Sequence, residues 1–422
     1  MSYFGDLIST IFARRYRRAH SGEVDERTTA ELCAALLSSH GEVSGVTLAR
    51  NLLECYAAMS AGEKRDFFQF VTHGLEIDPD AVISALQAYR DKPGKGTYRA
   101  FEVACEPARQ ELVRRLNQVP GATGRLVAMR KDLLGLMCEH PDLEPLDVDF
   151  RHLFSSWFNR GFPVLRPINR ESPAEIIEKI IAYEAVHAID SREDLRRRLK
   201  PSDRRCFGFF HPALADEPLI FVEVALTKGI PDSVQGLLAD ERTLIEAEEA
   251  DTAVFYSISN CQPGLAGISF GNSLIKQVVS DLSKDLPGLA AFVTLSPVPG
   301  LNKWLGGADP EALGSKDDRA LVAHCLLEAK RPDGMPYDPV ARFHLGNGAL
   351  VHAVHADADI SENGRHQSNG TTVNCLYDLN QISQNREIFV GEKTVVASAA
   401  VRKLGASVAA KSREPEDAQS SL

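Results

Sequence analysis

The fold is decided by a stretch that runs Thr252-Ala-Val-Phe-Tyr-Ser-Ile258, Gln262-Pro-Gly-Leu-Ala-Gly-Ile-Ser-Phe-Gly271, Leu274-Ile-Lys-Gln-Val-Val-Ser-Asp-Leu282 and Ala290-Ala-Phe-Val-Thr-Leu295. Its first and last segments are short apolar runs rich in β-branched and aromatic residues, the pattern of buried strands. Between them Leu274, Ile275, Val278, Val279 and Leu282 recur on one helical face, with Lys276, Asp281 and Lys284 opposite. Strand, glycine-rich turn, helix and strand in that order make this half of the chain α/β. Further runs upstream, Cys206-Phe-Gly-Phe-Phe210 and Leu219-Ile-Phe-Val-Glu-Val-Ala-Leu226, predict two more strands. Before these, Ser172-Pro173-Ala174-Glu175 has the form of a capping box opening a helix whose face is Ile176, Ile177, Ile180 and Tyr183.

Up to about residue 155 the periodicity is helical: Leu48, Leu52, Leu53 and Tyr56 form one face and Val82, Ile83, Leu86 and Tyr89 another. Asp78-Pro79-Asp80 marks a helix start, and Pro120-Gly121 separates two helices. Breakers and aromatics gather between His140 and Pro163, so the boundary falls near residue 157. The expected organisation is α+β: an all-helical bundle over 1–156, an α/β domain over 157–410 and a polar, disordered tail over 411–422.

With 422 residues and a formal net charge of −11, the chain would repel a nucleic-acid backbone, so nucleic acid is not an expected partner. The eight cysteines are scattered singly with no Cys-x-x-Cys pair, which predicts free thiols in a reducing compartment. No apolar run approaches the roughly 20 residues a membrane span needs, and a soluble protein is expected. Arg14, Arg15, Arg17 and Arg18 predict a basic amphipathic leader helix. The ending Ser420-Ser421-Leu422 approaches a peroxisomal address but lacks its lysine.

Three places could carry chemistry. The turn Gln262–Gly271 leads from a strand into a helix, where free N–H groups and the helix dipole attract phosphate; the same residues would also make an ordinary glycine-rich turn. Ser296, in Thr294-Leu295-Ser296-Pro297-Val298-Pro299-Gly300, ends a strand in a stretch stiffened by proline, although most such serines only cap turns. His344, in Arg342-Phe343-His344-Leu345-Gly346-Asn347-Gly348-Ala349, lies in a short apolar segment running into a turn and has the side chain best suited to proton transfer near neutral pH. A structural histidine is the alternative. His352 and His355, on a predicted strand, are spaced to point to opposite faces, so no metal site is expected.

Ordered blocks then carry a resemblance. Arg166-Pro167-Ile168, Glu178-Lys179-Ile180-Ile181 with Tyr183-Glu184-Ala185-Val186-His187, and Asp194-Leu195-Arg196-Arg197-Arg198-Leu199 are followed by Arg204-Arg205-Cys206-Phe207, Phe210-His211-Pro212 and Glu217-Pro218-Leu219. Val224-Ala225-Leu226-Thr227, Ser296-Pro297-Val298-Pro299-Gly300, Lys303-Trp304, Phe343-His344-Leu345 and Asn347-Gly348-Ala349 complete the series. Over nearly its whole length the sequence resembles the malonyl-CoA decarboxylase family. The resemblance implies a helical amino-terminal domain that supports oligomer assembly and a catalytic domain with the fold of GCN5-related N-acetyltransferases. It implies a CoA pyrophosphate site on the turn Ala266, Gly267, Ile268, Ser269, Phe270, Gly271 and Asn272, catalytic residues Ser296 and His344, and further pocket positions at Ser257 and Tyr377. Some members of the family carry an acid where this chain has Ser269, so no carboxylate role is expected there.

The implied activity is a carboxy-lyase reaction of fatty-acid metabolism, converting malonyl-CoA to acetyl-CoA and carbon dioxide. The thioester itself accepts the electrons that carbon dioxide leaves behind, so no cofactor is expected. His344 would deliver a proton to the resulting enolate, with Ser296 holding the malonyl carboxylate; the resemblance casts the serine as a proton acceptor. A homo-oligomer, with a tetramer as first candidate, and a cytoplasmic location complete the expectation. The alternatives are a CoA-dependent acyltransferase, because fold does not fix function, and a non-catalytic malonyl-CoA sensor.

Overall fold

The computed structural model describes residues 27–39, 41–159, 162–189, 191–239, 241–268, 274–307 and 317–411, and divides into two compact units between Leu153 and Phe154. The leader segment, the ending after residue 411 and the turn residues Ser269, Phe270, Gly271 and Asn272 lie outside the described residues.

The first unit is helical: α1 (Thr29–Ser38), α2 (Glu42–Ala58), α3 (Ala61–Gly74), α4 (Pro79–Asp91), α5 (Lys95–Cys105), α6 (Ala108–Leu116), α7 (Ala122–Leu136) and α8 (Glu144–Trp157). Several starts are written in the sequence. Thr28 with Glu31 and Ser60 with Glu63 form capping boxes, and Asp78 caps α4 with Pro79 in its first turn. Leu32, Leu36, Leu52, Leu53, Phe67, Phe68, Leu112 and Leu126 fill the core, each worth about 1.5–3 kcal/mol if fully buried. Arg130 meets Asp147 at 2.7 Å within that core, and Arg109 pairs with Asp149. The α4–α5 hairpin differs from the rest. Neither helix buries a residue completely, and Ile83, Leu86, Tyr98 and Val103 stay exposed on it.

The second unit contains β1 (Val164–Pro167), α9 (Ala174–Tyr183), α10 (Arg192–Leu199), β2 (Arg204–His211), β3 (Leu214–Thr227), α11 (Val234–Leu238), β4 (Thr252–Asn260), α12 (Leu274–Asp285), β5 (Ala291–Thr294) and β6 (Ser296–Pro297). It continues with α13 (Leu301–Gly307), α14 (Asp318–Glu328), α15 (Pro339–Gly346), β7 (Leu350–His355), α16 (Glu362–Ser368), β8 (Thr372–Leu376), α17 (Ile382–Glu392) and α18 (Ala399–Lys411). The strands form one sheet in the order β1-β2-β3-β4-β5-β8-β6, with β7 on β8. Only β4 and β5 pair in parallel among the described strands, and α12 makes the crossover that such a pair requires. All four strand runs anticipated from the sequence are present. The layout is the expected α+β one, a helical unit followed by a unit built on a mixed sheet.

One local expectation is overturned. Ser172 does not cap α9: the N-cap position belongs to Pro173, and the Ser172 hydroxyl instead accepts from the Asn169 N–H at 3.0 Å. The preceding turn takes the serine oxygen before the helix can. The short segment that carries His344 is a helix, α15, and it runs into a turn at Asn347 and Gly348 as expected.

Candidate active site

The site begins where two strands part. β4 and β5 are in register from Thr252 against Ala291 to Phe255 against Thr294, and the last rung is the Leu295 N–H donating to the Phe255 carbonyl at 3.1 Å. Beyond it β4 runs on to Asn260 against β3 alone, while the other strand turns at Leu295 and resumes as β6 along β8. A bulge at Tyr256 marks the divergence, since Glu223 faces Ser257 and Val224 faces Phe255. Ser296 is therefore the first residue past the parallel ladder, at the carboxyl end of a strand where α/β sheets place ligands. Buried Leu295 and Val298 anchor it on both sides, and the Asn374 side-chain amide donates to the Thr294 carbonyl at 2.9 Å, tying this strand end to β8.

His344 arrives on α15, which opens with Asp338 as N-cap and Pro339 in its first turn. Ser296 Oγ lies 3.2 Å from His344 Nε2, and Tyr377, just past β8, places its hydroxyl 2.8 Å from His344 Nδ1. All three side chains are buried, with Ser296 6% and His344 2% exposed. Burial alone pushes His344 down to about 3, and it holds the Tyr377 phenol well above its ordinary range. The resting trio is consequently uncharged: a hydroxyl, a neutral imidazole and a phenol. A neutral imidazole donates from one nitrogen and accepts at the other, so the three form a directed hydrogen-bonded chain along which a proton can move.

Other residues singled out in the sequence fall elsewhere. The Ser257 hydroxyl is taken up by Glu184, donating at 2.8 Å to either carboxylate oxygen, rather than by Ser296 or His344. Glu184 also accepts from the N–H groups of Val186 and His187, both at 2.8 Å, and so ties the loop after α9 to the open end of β4. Next to Ser257 on β3, Glu223 is fully buried and bonded to Arg198 at 3.2 Å; burial pushes its carboxyl up to about 8, with Glu184 adding to the shift. A cleft of about 850 Å³ opens beside this group, lined by Glu184, His187, Arg198, Gln235, Asp359 and Asn363, and neither Ser296 nor His344 lines it. In the turn after β4, the N–H groups of Ala266 and Ile268 donate to Pro263 and Leu265, and Gly267 takes a left-handed conformation with φ +76°. His352 and His355 lie on β7, and no cluster able to hold a metal ion occurs among the described residues.

Sequence reasoning passed over Glu184, which holds the Ser257 hydroxyl, and Asp338, which caps the helix of His344. Asp338-Pro339 was legible as a helix start. Nothing local marks Glu184, whose partner lies 73 positions away.

Family models for the malonyl-CoA decarboxylase N-terminal domain and C-terminal domain match residues 75–158 and residues 161–321 with 315–417. The chain is 34% identical over 344 residues to the mitochondrial malonyl-CoA decarboxylase of Anser anser anser, spanning 69% of this chain and 68% of that protein. The mitochondrial enzyme of Mus musculus is 32% identical over 354 residues, with 71% and 72% covered. Among solved structures, malonyl-CoA decarboxylase from Rhodopseudomonas palustris matches with a TM-score of 0.84 at 48% identity, over 89% of this chain and 98% of that one. The Agrobacterium vitis malonyl-CoA decarboxylase gives 0.83 at 46%, over 89% and 99%. With both halves matched in order and in three dimensions, the chain belongs to the malonyl-CoA decarboxylase family.

Proposed function

We propose that the protein converts malonyl-CoA to acetyl-CoA and carbon dioxide, with Ser296, His344 and Tyr377 as the proton-handling chain. The reaction breaks the bond between the malonyl α-carbon and its carboxylate, leaving the electron pair on the thioester as an enolate, and consumes one proton at that carbon. The single observation that carries the reading is the hydrogen-bonded series Ser296–His344–Tyr377, buried where β4 and β5 separate. No acidic side chain pairs with His344 in that series, so the negative charge that favours its imidazolium form is the malonyl carboxylate itself. Protonated on substrate binding, His344 then acts as general acid to the enolate, while the Ser296 hydroxyl holds the departing carboxylate. Tyr377 fixes the imidazole through Nδ1. Ser257 is given a substrate-orienting role, exercised through its bond to Glu184, and the turn Ala266 to Asn272 is assigned to the CoA pyrophosphate because it precedes α12.

In this reading residues 1–156 form the assembly domain of a homo-oligomer, a tetramer as first candidate, and 157–410 the catalytic domain. The exposed apolar surface of the α4–α5 hairpin supports the first assignment. The eight free cysteines support a reducing, cytoplasmic setting.

The test is to incubate the protein with malonyl-CoA and no acceptor, and to quantify both products. Equimolar carbon dioxide and acetyl-CoA are expected, and His344→Ala should lower turnover by roughly 10²-fold or more while malonyl-CoA still binds. Intact malonyl-CoA, or a near-normal rate for His344→Ala, defeats the proposal.

A further inference from the structure

Two short chain segments hold the serine and the histidine at their separation, and one buried carboxylate joins them. Asp338 is 1% exposed. Its Oδ1 accepts from the Ala341 N–H at 2.7 Å, capping the helix that carries His344. Its Oδ2 accepts from the Gly300 N–H at 2.8 Å, at the far end of the Pro297-Val298-Pro299-Gly300 turn that follows Ser296. An ordinary N-cap serves one helix; this one also grips a turn 38 positions earlier in the chain. The approach is tight: a Cβ at position 300 would lie 3.0 Å from Asp338 Oδ2 and 3.2 Å from its Cα, so adding one would push the turn and Asp338 apart by a few tenths of an ångström.

The loop so formed is short and stiff. From Gly300 back to Ser296 the chain has two prolines, and from Asp338 to His344 it is a proline-initiated helix. Closing it with the contact between Ser296 and His344 leaves little freedom in the separation of Oγ and Nε2. A misplacement of about 1 Å at a reacting centre can cost about 10²-fold in rate.

We propose that Asp338 is a positioning residue that sets the spacing of Ser296 and His344 by bridging the two segments that carry them; the inference rests on the decarboxylase reading given above. It touches neither substrate nor reacting atoms and acts through its two backbone partners.

Two variants separate the bridge from the cap. Asp338→Ser keeps an N-capping oxygen for α15 but is too short to serve Gly300 as well. Gly300→Ala leaves the carboxylate in place and crowds the turn off it. Ser191→Ala, which removes the cap of α10 alone, is the control. Each is assayed for kcat and KM with malonyl-CoA, and by hydrogen-exchange mass spectrometry over segments 297–305 and 338–347. Expected are a fall in kcat of about 10- to 100-fold, a KM within about two-fold of wild type, faster exchange in both segments together, and wild-type kcat for Ser191→Ala. Wild-type kcat in either bridge variant, or kcat and KM that deteriorate in parallel, overturns the proposal. Should the wild-type protein leave malonyl-CoA intact, the decarboxylase reading fails by itself, and exchange that rises in one segment without the other then overturns the bridge independently.

Discussion

Tyr377 supplies the only hydrogen bond to His344 Nδ1 among the described contacts, and its phenol keeps its proton because burial disfavours the phenolate. Tyr377→Phe preserves the ring that packs beside Phe255 and deletes this one bond. We expect stability to fall by about 1–3 kcal/mol, the usual cost of a buried polar atom left without a partner, and turnover to fall about 10-fold because the imidazole loses its orientation. Denaturant titration and steady-state kinetics measure both, and unchanged turnover would remove Tyr377 from the proton path. Ser296 and His344 were legible only as candidates, because a serine ending an apolar strand usually caps a turn and a histidine in an apolar segment is usually structural. Their meeting was not legible. It joins positions 48 apart through a strand turn and a helix cap, and only the family resemblance linked them before the geometry did.

At the level of elements, the α/β half was readable because its strands are buried on both faces and therefore appear as continuous apolar runs. The short β6 and the Tyr256 bulge left no such trace, since two residues and one extra residue are below any periodic signal. The helical half was readable from its caps, but periodicity could not distinguish a face turned to the core from one left uncovered. The Val82, Ile83, Leu86 and Tyr89 face of α4 illustrates this: Ile83 remains 53% exposed, and Val103 on α5 remains 68% exposed. If this hairpin is the assembly surface, Ile83→Glu combined with Val103→Glu should shift the solution mass to a smaller species in analytical ultracentrifugation. The melting of the separated subunit should stay intact, because neither side chain is buried within its own chain. An unchanged mass would assign assembly to another surface.

Across the whole molecule, two buried groups give stability opposite dependences on pH. Glu223 carries a carboxyl raised from 4.5 to about 8. As pH climbs through that window the unfolded chain loses this proton and the folded one retains it, so stability declines and levels off above about pH 8. His344, lowered from 6.5 to about 3, works the other way, with stability declining as pH falls from 6.5 toward 3. Glu223→Gln should therefore remove the decline between about pH 6.5 and 8 and unmask the rise that His344 causes between about pH 4.5 and 6.5, where the two effects oppose, whatever constant offset comes from loosening Arg198. Denaturation midpoints at pH 5, 6.5 and 8 test this, and parallel curves for variant and wild type would remove Glu223 as the source. The uncharged hydroxyl, imidazole and phenol have one last implication. In the proposed reaction a trio with no permanent ion of its own finds its counter-charge only on the substrate, and escape of the gas would take that anion away. What would remain at the acyl end is a plain methyl group, so each turnover would return the imidazole to its neutral state and loosen the hold on the product.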